Sequence, residues 1–223
     1  KGHVLPERAA DDLPSAAEAA KANGMRLDTN VTAIGSPDDP HAETILRTAA
    51  KLGVKFYRTN WYKYDTSAPI EKSLAEIEAR LRALAQLNRD CGIRGNVQNH
   101  AGAYFGAAIW DLWHVLQKIQ SDWIGCQYDI RHATVEGLGC WPLGLAAIMP
   151  HIQTLNFKDF AFKEKDGKLA VDNVPLGTGL VDFRRFVKLL APPATSAPIS
   201  LHSEYLPERA PPGDSLNRDE IFA

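Results

Sequence analysis

The chain has 223 residues, of which 45% are hydrophobic and 23% are charged, and its formal net charge is −2. This length and composition are typical of one large globular domain and exclude a long disordered or collagen-like chain. A near-neutral chain lacks the basic field of a nucleic-acid-binding protein, and no apolar run approaches the roughly 20 residues that cross a bilayer.

Helix patterns and short β-rich runs alternate along the whole chain. In chain order we predict a helix over 13–23, a strand over 26–34, a helix over 41–52, a strand over 54–60, a helix over 70–89, a strand over 93–100, a helix over 107–119, a strand over 123–130, a helix over 142–149, a strand over 152–157, a polar excursion over 163–173, a helix over 182–190 and a strand over 199–204. The helices follow apolar residues at 3–4 spacing, and several stop at a glycine.

Six strands that alternate with helices imply right-handed βαβ units and a parallel sheet. An open doubly wound sheet and a (β/α)8 barrel both satisfy this pattern. Because a barrel usually needs about 250 residues, six units predict an incomplete TIM barrel that lacks its first two units. We expect the barrel domain to cover 1–206, followed by a proline-containing C-terminal arm over 207–223.

The cysteines, Cys91, Cys126 and Cys140, are odd in number and have no CxxC spacing, which favours reduced thiols. The sequence begins at Lys1 without a signal-peptide pattern, so we expect that an N-terminal part is missing. A cytoplasmic and a periplasmic location therefore both stay open.

Polar and ionisable residues cluster at the carboxyl ends of the predicted strands. They are Arg58, Asn60, Gln98, His100, Asp129, His132, Lys158, Asp159, His202 and Glu204. Both competing architectures bind ligands at this end of the sheet, so the same residues form the candidate site in either one.

Each of these positions also has a structural interpretation. Asp129 and His132 suit a metal site or a proton relay, and His202 and Glu204 share one face of a strand. Lys158 and Asp159 fit a structural ion pair equally well. The glycines of 175–179 either present backbone amides to an anion or form an ordinary turn, and Trp61 either stacks on a sugar or packs in a loop.

Five segments in this order resemble the xylose-isomerase-like TIM barrels, which include sugar phosphate isomerases, ketose 3-epimerases, inosose dehydratases and endonuclease IV. The segments are VQNHAG (97–102), YDIRHATVEG (128–137), LNFKDF (155–160), PLGTGLVDF (175–183) and ISLHSEY (199–205). The resemblance extends from about residue 13 to residue 205 and implies that the chain begins after the second strand of the family's barrel.

The resemblance also implies a metal site whose family ligands are Glu, Asp, His and Glu. In this sequence Gln98 stands at the first Glu, Asp129 keeps the Asp, Asn156 stands at the His, and His202 stands at the last Glu, or Glu204 does if the last alignment shifts by two residues. We predict these four as ligands of Mn, Co, Zn or Mg. Because neutral amides replace charged ligands, a weakened metal site, or none, is equally open.

The remaining residues at the strand ends complete the predicted site. We assign catalytic roles to Glu204, His132 and Lys158, with Glu204, or His132 acting through water, as the base of an enediolate mechanism. Substrate-binding roles fall to a second group, which consists of Arg58, Asn60, Trp61, His100 and Asp159.

The resemblance implies a sugar isomerase or epimerase that moves a proton next to the carbonyl of a sugar or polyol derivative. A catalytically impaired carbohydrate-binding barrel and an inosose-dehydratase-like lyase are the alternatives. The expected partner is a small carbohydrate, without nucleic acid or membrane, and a homo-oligomer is compatible with the sequence. An apurinic endonuclease is disfavoured, since it needs many more carboxylate and imidazole ligands.

Overall fold

The computed structural model describes residues 4–192 and 194–205. Seven α-helices lie in these ranges: α1 (Ala9–Ala22), α2 (Ala42–Lys51), α3 (Ile70–Cys91), α4 (Trp110–Ile119), α5 (Ile130–Gly137), α6 (Trp141–Ile148) and α7 (Phe183–Leu189). The strands are β1 (Thr29–Val31), β2 (Phe56–Arg58), β3 (Arg94–Gln98), β4 (Ile124–Asp129), β5 (Ile152–Phe157), β6 (Asp159–Lys165), β7 (Lys168–Val174) and β8 (Ile199–Leu201).

Six of the strands form one parallel sheet in the order β1-β2-β3-β4-β5-β8. The sheet is curled into a half-barrel, with β1 and β8 at its two open edges. This confirms the predicted incomplete TIM barrel of about six βα units. The predicted arm over 207–223 lies outside the described residues.

The largest difference from the predicted elements is the polar excursion over 163–173. It belongs to an antiparallel hairpin of β6 and β7, paired from Asp159–Val174 to Lys165–Lys168. Asp166 and Gly167 connect the strands with positive φ angles of 54° and 71°, which a two-residue hairpin turn requires. Charged residues on the exposed strands concealed the alternation that would have predicted them.

Other differences concern element ends. The strands predicted over 26–34 and 54–60 shorten to three residues each, and the helix predicted to begin at residue 107 begins at Trp110. The short helix α5 follows β4 directly, and no pattern had predicted it. It begins there because the Asp129 carboxylate accepts a hydrogen bond from the backbone N–H of His132 and thereby caps the first turn.

The apolar core lies between the outer face of the sheet and the helices. Tyr57 on β2 and Tyr128 on β4 are fully buried there, and Tyr57 donates a hydrogen bond to Asn88 of α3. Tyr128 stacks on Phe186 of α7 with ring centroids 5.8 Å apart. These contacts hold α3 and α7 against the sheet. No helix within the described residues is long and apolar enough to cross a membrane.

The inner face of the sheet is polar. Alternation places Asn96, Gln127 and Thr154 on the same face as Gln98, Asp129 and Asn156, two residues further along β3, β4 and β5. The interiors of such barrels are usually filled by branched apolar side chains. The polar side chains of this half-barrel can instead form hydrogen bonds with water or with the hydroxyl groups of a ligand.

Candidate active site

The strand ends bring most of the predicted site residues together. Asp129, the last residue of β4, is aligned with Asn156 on β5, which is aligned with Ser200 on β8. Gln98, the last residue of β3, donates a hydrogen bond of 2.9 Å from its amide nitrogen to Asp129 Oδ2. Lys158 follows β5 and Glu204 follows β8, and the Lys158 ammonium contacts the carboxylates of both Asp129 and Glu204. The carboxyl ends of four strands, β3, β4, β5 and β8, therefore converge.

Lys158 occupies the centre of this group. Its Nζ lies 2.8 Å from Glu204 Oε1, 3.4 Å from Asp129 Oδ2 and 3.3 Å from His132 Nε2. The Lys158 side chain is only 5% exposed, and that of Asp129 is fully buried, so the charges face each other at low dielectric. Glu204 is 46% exposed and is the carboxylate of this group that solvent or a ligand reaches.

Asp129 is held rigidly by its neighbours. One carboxylate oxygen accepts from Gln98 and faces Lys158, while the other accepts from the backbone of His132. Asn99 holds the backbone of Asp129, because its side chain accepts a hydrogen bond from the Asp129 N–H at 2.7 Å and donates one to the Asp129 carbonyl at 3.0 Å. Asn99 had no predicted role, although its position beside Gln98 at a strand end was visible in the sequence.

His132 is buried between two cations. Arg131 lies 3.0 Å from His132 Nδ1 and Lys158 lies 3.3 Å from Nε2, and since both cations can only donate, the neutral imidazole accepts a hydrogen bond from one of them. Burial, and then the charge of Lys158, holds the pKa of His132 far below its ordinary value. His132 is therefore neutral, and both of its nitrogens face other side chains.

Arg131 is a site residue that the sequence analysis missed. Besides His132, its guanidinium binds Asn173 Oδ1 on β7 at 2.8 Å, and the Asn173 amide lies 3.4 Å from Glu204 Oε2. The hairpin thus reaches the site through Asn173. Arg131 stands between Asp129 and His132 in the sequence, and the unpredicted start of α5 is what turns it toward them.

Glu204 is ionised in this setting. His202 Nδ1 lies 3.3 Å from Glu204 Oε1, and this contact, followed by the hydrogen bond from Lys158, lowers the pKa of Glu204 to about 2. His202, predicted as a metal ligand, contacts the predicted base instead.

Aromatic rings form one side of the site. The Arg58 guanidinium lies 4.4 Å from the Trp61 ring centre and donates to Gln98 Oε1 at 3.2 Å. His100 stacks between Trp61 and His132, with ring centroids 4.7 Å and 4.0 Å away. The predicted substrate-binding residues Arg58, Trp61 and His100 therefore form one continuous surface.

An open cleft of about 880 Å³ adjoins this surface. Asn60, Trp61 and Tyr104 line it, together with residues of the β1–α2 loop and α3. The Asn60 side chain accepts a hydrogen bond from the Trp61 backbone N–H and fixes the turn that presents Trp61. A second cavity, of about 770 Å³, lies at the opposite end of the sheet, next to Arg26 and Arg94 and away from the strand-end residues.

The sequence left open whether Asp159 binds substrate or stabilises the fold, and its hydrogen bonds show a structural role. It is 2% exposed, and its carboxylate accepts from the backbone N–H groups of Phe160, Gly177, Gly179 and Val181. The glycine-containing turn therefore does present amides to an anion, and that anion is Asp159 itself. Its predicted contact with substrate finds no support in these bonds.

Asn156 is the least satisfied residue of the site. It is fully buried, and neither its amide nitrogen nor its amide oxygen has a hydrogen-bond partner among the described residues. Asn96, Gln127 and Thr154 on the same inner face each have an unpartnered side-chain atom as well. Buried polar groups are costly without partners, so these atoms offer hydrogen bonds to a bound polar molecule.

The residues predicted as metal ligands do not fit a divalent cation in this arrangement. Among the four, only Asp129 carries a negative charge, the Gln98 oxygen faces Arg58, and the Lys158 ammonium lies 3.4 Å from Asp129. Within residues 4–192 and 194–205, no three His, Cys, Asp or Glu side chains are grouped to hold a metal. The bound metal stays a prediction that the titration described below tests.

Comparison with known proteins identifies the family. The family model described as "Xylose isomerase-like TIM barrel" matches residues 5–219, so the chain belongs to that family. No curated protein matches the sequence.

Solved structures share the fold at low identity. The probable 3-DHS dehydratase AsbF from Bacillus anthracis is 13% identical, with 88% of this chain and 78% of that one covered and a TM-score of 0.68. A xylose isomerase-like TIM barrel protein from Mycobacterium smegmatis, in complex with magnesium, is 14% identical, with 86% and 71% covered and a TM-score of 0.66. The 3-keto-D-glucoside 4-epimerase YcjR from E. coli is 11% identical, with 88% and 79% covered and a TM-score of 0.65.

Proposed function

We propose that this protein is a carbohydrate isomerase or epimerase that moves a proton on the carbon next to a carbonyl group. The observation that carries the proposal is the position of Lys158, whose ammonium lies between the carboxylates of Asp129 and Glu204 at the mouth of a polar half-barrel. The family and the structural likeness to an epimerase support this reaction class. The unpartnered amide of Asn156 supports a ligand with many hydroxyl groups.

Lys158 is the electrophilic group in this proposal. Removal of a proton next to a carbonyl builds negative charge on the carbonyl oxygen, and a preorganised cation at low dielectric stabilises that charge. The Lys158 ammonium is held by Asp129 and Glu204 before substrate binds, so little reorganisation is needed.

Glu204 is the base. It is the half-exposed carboxylate of the group, whereas both nitrogens of His132 face other side chains. A pKa of about 2 makes the free Glu204 carboxylate a weak base. When a substrate oxygen takes the hydrogen bond of Lys158, Glu204 loses part of that stabilisation and gains basicity. It then accepts the carbon-bound proton and returns it to the other face of the same carbon. In an isomerisation it returns the proton to the former carbonyl carbon, and the hydroxyl proton of the adjacent carbon moves to the former carbonyl oxygen.

Carbohydrate binding without turnover is the second candidate. Two observations favour it. The low pKa of Glu204 makes it a weak base for removing a proton from carbon. The amides at positions 98 and 156 replace a carboxylate and an imidazole of the family's metal site. In that case the aromatic surface and the polar interior still bind a sugar, and no proton is exchanged.

Proton exchange distinguishes the two candidates. The protein is incubated in D2O with a panel of ketoses, keto acids, ketose phosphates and inososes, and deuterium at the carbon next to the carbonyl is followed by NMR. We expect exchange for at least one compound, with the rate reduced at least a hundredfold in Lys158→Met and Glu204→Gln.

Lys163→Met, on the exposed hairpin, is the matched control and keeps the parent rate. Binding of a panel compound without exchange would overturn the isomerase proposal in favour of the binding protein. A product that has lost water would assign a lyase.

A further inference from the structure

The candidate site contains more positive than negative charge. Arg58, Arg131 and Lys158 face it, against the carboxylates of Asp129 and Glu204, and both carboxylates contact Lys158. Within the described residues, neither arginine makes an ion pair, since Arg58 binds the neutral Gln98 and Arg131 binds the neutral His132 and Asn173. Two guanidinium groups thus have no carboxylate in direct contact, although the field of Glu204 reaches both.

Both arginines are also incompletely hydrogen-bonded although they are partly buried. The Nε of Arg58 and the Nε of Arg131 are inaccessible to solvent and have no partner in the part of the chain that the structure describes. A guanidinium has five N–H donors. Arg58 uses one of them on Gln98, and Arg131 uses two. A partly buried cation with unused donors is costly unless an anion joins it.

Stacking accounts for the orientation of these side chains and involves the faces of the guanidinium groups, not their N–H edges. Arg58 lies over Trp61 at 4.4 Å, and Arg131 lies over Phe160 at 5.7 Å. A ring beneath a guanidinium contacts its face, whereas carboxylate and phosphate groups bind its N–H edge, often with two parallel hydrogen bonds. Trp61 adds a flat apolar surface for a sugar ring beside that edge, at the rim of the 880 Å³ cleft.

We infer that the ligand of this site is a carbohydrate derivative with an anionic group, which Arg58 binds directly and to which Arg131 and Lys158 add charge. This inference rests on the proposed function and specifies its substrate class. A carboxylate, as in a keto acid, and a phosphate ester share the chemistry that Arg58 recognises. The surplus of one positive charge among the five groups offsets a carboxylate fully and a phosphate ester, which carries about −1.5 to −2, in part.

The experiment compares six-carbon keto sugars that differ in their anionic group. Binding of D-fructose, 5-keto-D-gluconate and D-fructose 6-phosphate is measured by calorimetry at low and high NaCl, with inorganic phosphate and acetate as probes of the anion alone. We expect at least one of the two anionic sugars to bind about tenfold or more tightly than D-fructose, with a preference that shrinks as salt rises. Whether the carboxylate or the phosphate binds more tightly identifies the source of the anion.

Variants test the assigned residues. Arg58→Gln should remove most of the preference for the anionic sugar over D-fructose, and Arg131→Gln should remove part of it. Arg26→Gln, at the opposite end of the sheet, is the matched control and keeps the parent preference.

Equal binding of D-fructose and both anionic sugars, or an unchanged preference in Arg58→Gln, would overturn this inference and leave the proposed reaction standing. Anion-dependent binding without deuterium exchange would uphold the inference and overturn the isomerase. If none of the three sugars binds, this inference fails, and the deuterium-exchange panel alone decides the proposed reaction.

Discussion

Lys158 Nζ lies 3.4 Å from Asp129 Oδ2, and both side chains are almost completely removed from solvent. Removing one partner of a buried ion pair leaves the other charge uncompensated, which typically costs about 3 kcal/mol. We therefore expect Lys158→Met to lower the free energy of unfolding by about that amount, as measured by urea denaturation. Lys163→Met, whose lysine is exposed and paired with Asp172, should stay within about 0.5 kcal/mol of the parent. Equal stabilities of the two variants would show that the Lys158 pair is not buried.

Metal titration tests the fit of the strand-end residues to a divalent cation. Calorimetry with Mn²⁺ and Zn²⁺ should find no stoichiometric binding to the parent, because Lys158 opposes a cation beside Asp129. Gln98→Glu combined with Lys158→Met adds one anion and removes one cation, so it should create binding that Asp129→Ala abolishes. Without metal, the double variant should be less stable than the parent, since two buried carboxylates then face each other. One equivalent of metal bound by the parent and lost in Asp129→Ala would restore the predicted metal centre.

The pH dependence of stability reports on His132, whose pKa is lowered by burial and by Lys158. The unfolded chain takes up a proton at His132 below about pH 6.5, whereas the folded chain does not. The contribution of His132 is therefore fully present above pH 6.5 and is lost as the pH falls, by up to about 1.4 kcal/mol per pH unit.

His132→Gln should reduce the slope of unfolding free energy against pH between about pH 6 and 4.5, relative to the parent. His114→Gln replaces an exposed histidine of α4 and should keep the parent slope. If His132→Gln has the same slope of unfolding free energy against pH as the parent, His132 is protonated in the folded protein.

The bonds of Asp159 predict a role in holding the 175–181 turn. Asp159→Asn loses a charged acceptor for four backbone N–H groups and should destabilise the fold by about 2 kcal/mol. Hydrogen exchange at Gly177, Gly179 and Val181 should accelerate at the same time. Asp172→Asn, on the exposed hairpin, controls for loss of a carboxylate and should leave exchange at those amides unchanged. If these amides still exchange slowly in Asp159→Asn, hydrogen bonds to the Asp159 carboxylate are not what protects them.

Glycine at position 179 is required by the same turn. A Cβ there would overlap the Asp159 carboxylate and the Phe160 carbonyl. We expect Gly179→Ala to reproduce the loss of stability and the faster exchange of Asp159→Asn, whereas Gly139→Ala, which has open space around it, should resemble the parent. A Gly179→Ala protein with parent stability would show that the turn relaxes freely.

The sequence predicted the half-barrel because its strands and helices each bury one apolar side, which leaves a clear period. Tyr57 and Tyr128, for example, mark the outer face of β2 and β4. The site at the strand ends followed from this topology alone. The hairpin of β6 and β7 was missed because both of its faces are largely exposed, so its charged residues show no such period.

The roles of individual site residues depended on distances that no periodicity encodes. Lys158 and Glu204 are 46 residues apart in the sequence, and only the folded chain reveals that their charges meet. Arg131 was overlooked because its direction depends on where α5 begins, which the Asp129 cap decides. The sequence alone was compatible with a substrate-binding or a structural role for Asp159. The structural role follows from the hydrogen bonds that the backbone N–H groups of the 175–181 turn donate to its carboxylate.

The central claim is that Lys158, rather than a bound metal, supplies the positive charge for proton transfer next to a carbonyl. The most direct test follows deuterium exchange into the panel of keto sugars with metal-depleted protein in the presence of a chelator. The proposal predicts that exchange continues at the rate measured without chelator and is lost in Lys158→Met. Exchange that stops with the chelator, returns with added Mn²⁺ and persists in Lys158→Met would contradict it.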